Sequence, residues 1–407
     1  MATIFVPKET QPGESRAAAT PETVRHLVKA GHTVVVERGA GARAWYPDAE
    51  YEAAGAKFAN DASAAADADI VAQFGVPSTS LVTSMKPGAS VVSFLWAPEN
   101  LDVVRALAAR KVSAFSMDAL PRTTRAQKDD ALTSQASLAG YKAVLLAASH
   151  LPKIFPMQMT PAGTIRPARV VILGAGVAGL QAIATARRLG AIVEVSDVRP
   201  EVKEQVQSLG AGWIEVPAPV ASGTGGYAAE QTDEFRRKQQ EVLRERIVAA
   251  DVVITTASIP YRPAPRLIAA DVVRAMRPGS VIVDLAAERG GNVEGTVAGE
   301  TVVVGGITIV GEVQLAATVS THATDQYGKN VQNVLLDATK KGVFAWDLGD
   351  EIVAGALVVH GGEVRDARTR GLLGLPPLPA AAPSAPAPAA GAAAPAPAAP
   401  AAPSTPA

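Results

Sequence analysis

One stretch narrows the folds open to this chain more than any other: RVVILGAGVAGLQAIATARRLGAIVEVSDVRP, residues 169–200. A β-rich run leads into Gly174-x-Gly176-x-x-Gly179. An Ala-rich helical run follows, and a second β-rich run ends on Asp197. Gly174 permits a tight turn, Gly176 lets the backbone approach a pyrophosphate, and Gly179 lets helix and strand pack closely. The free N–H groups and dipole of the helix start then suit phosphates. Glycine spacing alone is a weak sign, but here strand, helix and acid accompany it, Asp197 standing 23 residues after Gly174. A carboxylate there accepts hydrogen bonds from both ribose hydroxyls of NAD and repels the 2′-phosphate of NADP. Arg199, two residues on, would soften that repulsion. The stretch predicts a dinucleotide site that favours NAD, against a shell of the same fold that has lost its ligand.

The rest of the chain alternates in the same way. Residues 1–120 read as strands in ATIFVP, HTVVVE, DIVAQF, ASVVSFL and VSAFSM. Helices read in PETVRHLVKAG, DAEYEAAGAKFA and ENLDVVRALAARK. Residues 128–150 hold few breakers and read as one long helix. From 169 to 310 the strands are RVVIL, AIVEVS, GWIEV, DVVITT, SVIVDL, TVVVG and ITIV, with helices over 177–190, 200–209, 233–249 and 266–277. This pattern predicts an α/β fold of two Rossmann-like, doubly wound lobes with a ligand cleft between them. The expected division is a first lobe, 1–135, completed by about 320–375, and a linking helix with the nucleotide lobe over 136–319. ATDQYGKNVQNVLLDA supplies the returning helix. A tail, 376–407, has 27 Ala or Pro in 32 residues and no charge. Such a segment cannot build a core and reads as a disordered terminus, or as a linker whose next domain lies on another chain.

Composition removes several function classes. Apolar residues make up 48% of the 407, so a sizeable core can form. A net charge of −1 leaves no electrostatic footprint for nucleic acid. The absence of cysteine excludes disulfides, thiolate catalysis and Cys-based zinc sites. The five histidines are scattered, so no metal site is expected. MATIFVPKET lacks the sections of a signal peptide, and no apolar run reaches the roughly 18 residues of a membrane helix, so a soluble protein is expected.

Two further stretches ask for a role. RAQKDD, residues 125–130, concentrates charge and amide groups in a mild, Ala-rich context. By itself it is a wet helix face, an acid/base cluster or a cofactor handle. PAPVASGTGGYAAEQTD, 217–233, is a Gly-rich connection that reads as a lid or as a loose insertion.

The opening VPKETQPGESRAAATP resembles the superfamily of the alanine dehydrogenases and the nicotinamide nucleotide transhydrogenases. Within it, the alanine dehydrogenases add substrate-site Lys and His residues. At the matching positions here stand Gln73 and Gly75 in AQFGVP, and Trp96 in FLWAPEN, while Glu288 in AAERGG takes the place of an acid. Arg16 is retained and is read as a structural ion pair. An amino-acid oxidation site without Lys and His lacks its acid/base, which a dehydrogenase needs. The chain over 1–375 is instead similar to the NAD(H)-binding component of proton-translocating transhydrogenase. RAQ…D…SQASLAGYKAV, GVAGLQAIATARRLGA, GGYA…EFRRKQ, TTASIP and MRPGSVIVDLAAERGGN carry the likeness.

That resemblance implies a set of site residues. Arg122, Gln127 and Asp130, with Thr133 where the family has Ser, would contact the nicotinamide ring and its carboxamide. Lys128 and Asp129 depart from the family and are expected to face solvent. Gly174, Gly176, Val177, Gly179, Asp197, Val198 and Arg199 would hold the nucleotide. Gly226 and Tyr227 would lie on a mobile loop, with Gln239 after it, and Ala257 and Ser258 at the nicotinamide end. The resemblance also implies a homodimer with NAD(H) bound here and NADP(H) bound by a partner subunit, beside membrane subunits that pass protons. The chain would sit on the cytoplasmic, inner face of the cell membrane through those partners. The Ala/Pro tail would correspond to the link that leads to membrane helices in longer relatives. Hydride passes between two nicotinamide rings with no acid or base required; the demand is proximity and orientation. The other readings are an alanine dehydrogenase-like enzyme and a non-catalytic NAD-binding protein.

Overall fold

The computed structural model describes residues 1–215 and 233–378, without the side chains of 233–240. The first lobe opens with strands β1 (Thr3–Val6), β2 (Thr33–Glu37), β3 (Lys57–Ala59), β4 (Ile70–Ala72), β5 (Ser90–Ser93) and β6 (Ser113–Ser116). They pair in parallel in the order β3-β2-β1-β4-β5-β6. Every residue of β4, β5 and β6 is buried, as expected of parallel strands covered on both faces. The helix Pro21–Lys29 begins as its sequence demands: the Thr20 hydroxyl accepts from the Thr23 N–H, Thr23 reciprocates, and Pro21 fills the first turn. DAEYEAAGAKFA is not one helix. The helix covers only Asp48–Ala53; Gly55 then takes a left-handed φ of 95°, and the chain enters β3.

The helix Ala131–His150 leaves this lobe and acts as a spine about 30 Å long. It touches the helix Val177–Arg188, the helix Ser320–Asp337 and the second sheet, so little of it is purely solvent-facing. Its closest approach is at Gly140, where a Cβ would lie 2.1 Å from the Ala178 carbonyl oxygen. A short exposed hairpin, β7 (Gln158–Thr160) with β8 (Gly163–Ile165), follows. Its strands of three residues are too brief to leave a periodic signal, and sequence reading does not foresee it.

The second lobe contains β9 (Arg169–Leu173), β10 (Ile192–Ser196), β11 (Gly212–Trp213), β12 (Val252–Thr255), β13 (Val281–Asp284), β14 (Thr301–Val304) and β15 (Ile307–Val310). Their order is β11-β10-β9-β12-β13-β15-β14, parallel except for β14 at the edge. GWIEV contributes only the two-residue β11, and the helix expected over 266–277 contracts to Ala270–Ala275. Strand order reverses between β9 and β12, where open α/β sheets place their ligands, outside the strand carboxyl ends.

The helix Ser320–Asp337 brings the chain back to pack on Pro21–Lys29. After the small ribbon of β16 (Thr339–Lys340) and β17 (Val343–Phe344), β18 (Leu357–His360) and β19 (Glu363–Val364) extend the first sheet antiparallel beyond β6. Among the described residues no helix is long and apolar enough to cross a membrane.

Gly140→Ala is expected to force the spine off the nucleotide-lobe helix. The cost should be about 1–3 kcal/mol, the usual range for overpacking, read as a lower denaturant midpoint. An unchanged midpoint would contradict the close crossing.

Candidate functional site

The glycine turn follows β9. Gly174 takes φ 105°, and a Cβ on it would stand 2.4 Å from the Thr256 hydroxyl. Gly179 lies against the Gly174 carbonyl, 2.0 Å from where its Cβ would be. Gly176, by contrast, has nothing within 4 Å of that position, and no side chain caps the helix Val177–Arg188 that it opens. Two glycines are therefore consumed by packing, and the middle one leaves an open face beside uncommitted amides, the arrangement a pyrophosphate needs. Val177, the first residue of that helix, and Val198, two residues past β10, are both half-buried.

Asp197 directly follows β10 and is already engaged. One carboxylate oxygen accepts from the Ala175 N–H (2.7 Å) and Arg199 Nη2 (2.9 Å). The other accepts from the Arg199 N–H (2.8 Å) and Nε (3.0 Å). The acid thus braces the glycine turn and holds Arg199, whose guanidinium it pushes above its ordinary pKa through these bonds. The two residues form a matched pair just past the end of β10.

On the other side of the switch point, the segment after β12 is fixed by neighbours that sequence reading missed. Thr256 donates through its N–H to the Leu173 carbonyl, 2.9 Å. Ala257 is held at both backbone groups by Asn292: its N–H donates to Oδ1 (3.1 Å), and its carbonyl accepts from Nδ2 (2.8 Å). Asn292 is fully buried, and its own N–H donates to Asp284, 2.8 Å away. Asp284 also accepts from the hydroxyls of Thr255 and Thr296. Ser258 comes next on the same segment. The only sequence signal for Asn292 is its place in AAERGGN.

RAQKDD and its surroundings lie at the start of the spine helix. Arg122, Gln127 and Thr133 are exposed. Asp130 caps the spine helix, accepting from the Thr133 N–H (2.9 Å) and the Thr133 hydroxyl (2.6 Å). A hydroxyl at 133 is thus tied to the carboxylate at 130. Arg125 forms a two-pronged bond to Asp350, 2.7 and 2.5 Å, and Lys128 pairs with Asp337 at 2.7 Å. The Lys128 carbonyl accepts from both Asn330 and Asn333. Lys128 does face solvent, but Asp129 does not: it is 1% exposed, and one of its carboxylate oxygens has no hydrogen-bond partner. Its neighbour Lys128 is held by the returning helix, a contact about 200 residues distant that local sequence does not report. Gly226 and Tyr227, and the side chain of Gln239, lie outside the described residues.

At the carboxyl edge of the first sheet, the positions that carry Lys and His in alanine dehydrogenases are filled and paired among themselves. Arg16 binds Glu14 twice at 2.7 Å, donates to Gln135 and lies 3.6 Å over the Phe74 ring. This is the structural ion pair expected of it. Gln73 donates to the Gly75 carbonyl and accepts at its own carbonyl from the Tyr327 hydroxyl. Phe94 stacks between Trp96 and Tyr327. Glu9 is buried beneath, accepts from the N–H groups of Phe74 and Gly75, and burial pushes its pKa up to about 7. Glu288 sits in a short helical turn, 287–289, after β13. Among the described residues no group of three or more His, Asp or Glu is placed to hold a metal ion.

These features define a two-lobed dinucleotide-binding protein of the alanine dehydrogenase class. Family models described as "Alanine dehydrogenase/PNT", N-terminal and C-terminal domain, match residues 5–139 and 143–367. In Rhodospirillum rubrum, the first portion of NAD(P) transhydrogenase subunit alpha is 45% identical to this chain over 372 residues, covering 89% of this chain and 97% of that one. NAD(P) transhydrogenase subunit alpha of Haemophilus influenzae is 43% identical over 364 residues, covering 88% of this chain and 71% of that protein. The crystal structure of transhydrogenase from Sinorhizobium meliloti superposes with a TM-score of 0.78 at 42% identity, over 89% of this chain and 98% of the other. The chain belongs to the family of NAD(P) transhydrogenase alpha subunits.

Asp197→Ala removes the carboxylate expected to oppose a 2′-phosphate. NADPH should therefore gain affinity relative to NADH in fluorescence titrations; an unchanged ratio contradicts that role. Burial raises the Asp129 pKa from 3.8 to about 6. A group raised in this way adds stability that is full below its unfolded pKa and is lost as pH rises through about 6. Asp129→Asn should flatten the dependence of the unfolding midpoint between about pH 4 and 7, and stabilise the chain above that range. A profile identical to the wild type's would show that Asp129 does not titrate there.

Proposed function

We propose that this chain binds NAD(H) in the interlobe cleft and exchanges hydride with NADP(H) held on a separate subunit, in a membrane complex that couples the transfer to proton translocation. The observation that carries this reading is the contrast between two sheet edges. The second is open around Gly176, while the first, where an amino-acid dehydrogenase keeps its acid/base, is closed by groups that satisfy one another. Arg16 and Glu14 are spent on each other, and Trp96, Phe94 and Tyr327 occupy the space.

The residues then divide the work. The glycine turn and Asp197 anchor the adenosine and pyrophosphate. Ala257 and Ser258, stiffened by Asn292, form one wall for the nicotinamide. Arg122, Gln127, Asp130 and Thr133 form the opposite wall and fix the carboxamide by hydrogen bonds. Bound NADH supplies the hydride itself, and the protein's contribution is orientation, which lowers the barrier without moving a proton. The assembly is a homodimer on the inner face of the cell membrane, held there by its partners. The exposed hairpin, with Met157, Met159 and Ile165 beside Ile154 and Ile192, supplies an apolar surface suited to a second copy.

The test is reconstitution. The purified chain mixed with an NADP(H)-binding transhydrogenase domain should reduce an NAD analogue from NADPH. Oxidation of NADH by pyruvate and ammonia instead would overturn the proposal. Gln127→Asn and Asp130→Asn should slow hydride transfer far more than they weaken NADH binding; equal loss of both contradicts the orienting role.

A further inference from the structure

Two bulky aromatic residues in the cleft adopt backbone conformations that disfavour them. Trp96, just past β5, has φ 46°, and Tyr261, six residues past β12, has φ 59°. Left-handed backbone at such residues is strained and persists only where the surroundings hold it. The two belong to different lobes, and their rings meet edge to face at 6.0 Å.

One carboxylate holds both. Asp118, past β6, accepts through Oδ1 from the N–H groups of Leu95 (2.8 Å) and Trp96 (3.1 Å) and from the Ser116 hydroxyl (2.7 Å). Its Oδ2 accepts from the Tyr261 hydroxyl, 2.9 Å away across the cleft. Behind Tyr261, Arg368 of the helix Ala367–Leu372 donates to the Tyr261 carbonyl at 3.0 Å and stands 5.0 Å over its ring. A second tie runs alongside. Arg289 of the nucleotide lobe reaches Glu99 of the first lobe at 2.6 and 3.4 Å and lies 5.2 Å over the Trp96 ring.

None of these groups has a part in binding the dinucleotide as described above. Their position gives them another. Tyr261 is three residues from Ser258, on the segment that forms one nicotinamide wall, while Gln127 and Asp130 come from the opposite lobe. The angle between the lobes therefore sets the distance between the two walls. We propose that Tyr261, held by Asp118 and Trp96, is an interlobe latch that fixes this angle, and so is a positioning residue for hydride transfer. The proposal deepens the transhydrogenase reading and rests on it for the consequence to catalysis, though not for the latch itself.

The chain has no cysteine, so Arg105→Cys and Arg244→Cys, exposed positions on the two lobes, permit a clean spin-label pair. Labelled protein diluted into unlabelled chain reports intramolecular distances alone. The latch predicts a narrow interlobe distribution that broadens in Tyr261→Gly and, less so, in Tyr261→Phe, which keeps the ring and loses the hydroxyl. Glycine is at ease at positive φ, so Tyr261→Gly should still fold, with an unfolding midpoint lowered only by the loss of the ring and hydroxyl contacts. Its hydride-transfer rate should nevertheless fall by about 10- to 100-fold, the scale of a misplacement near 1 Å, with little change in NADH affinity. A distribution as narrow as the wild type's in both variants overturns the latch. A broadened distribution with an unaltered rate overturns the positioning role. Absence of transfer in the wild type would defeat the transhydrogenase reading, while the distances would still decide the latch.

Discussion

Everything in the site hangs on the contact between two helices at Gly140 and Ala178. The spine helix carries the RAQKDD turn at its start and touches the first turn of the helix behind the glycine loop. Backbone meets backbone there, with no room for a methyl group. That crossing fixes the spine helix against the nucleotide-lobe helix at one point. Protein interiors resist such close contacts being stretched or compressed, so the two helices stay together there, while the ties across the cleft bear on the angle between the lobes.

Buried carboxylates organise the remaining geometry. Asp284 gathers Thr255, Asn292 and Thr296, and through Asn292 determines where Ala257 lies. Asp118 gathers Leu95, Trp96, Ser116 and Tyr261. Asp197 gathers the glycine turn and Arg199. Each acid ends or follows a strand, so it lies at a carboxyl edge, where backbone N–H groups of the next loop are available. A buried carboxylate that accepts several such bonds is a strong local constraint. Asp129 is the exception. It is buried with one oxygen unpartnered, and burial lifts its pKa toward neutrality.

How much of this can be read from sequence depends on how local each requirement is. The glycine turn is legible because each glycine answers a need within ten residues of itself: a turn, an open face, a close helix. Asp130 and Thr133 stand out only through the family resemblance; the cap they form on the spine helix is not read from the sequence. The setting of Lys128 and Asp129 is not legible either, because Asn330, Asn333 and Asp337 arrive at Lys128 from a helix about 200 positions later. The clamp by Asn292 is hidden likewise, an amide that reaches back 35 residues to Ala257. Tyr261 and Trp96 give no sign at all: positive φ is signalled by glycine, and here tertiary bonds enforce it on aromatic residues instead. The helix expected through Ala59 stops short of Gly55, a breaker present in the sequence but outweighed by the helix-favouring residues around it.

The pairing of Asp197 with Arg199 has a consequence for residence time. The acid proposed to meet the ribose is not a vacant acceptor; it already accepts from Arg199 in the chain alone. Docking two ribose hydroxyls on it exchanges one set of donors for another, and the net gain is the difference between them rather than the full strength of either. When the nucleotide leaves, Arg199 is at hand to take its place, so no bare charge is left in a half-buried site during departure. An anchor built in this way would discriminate between nucleotides without gripping them, which suits a protein that must exchange one oxidation state of its cofactor for the other on every cycle.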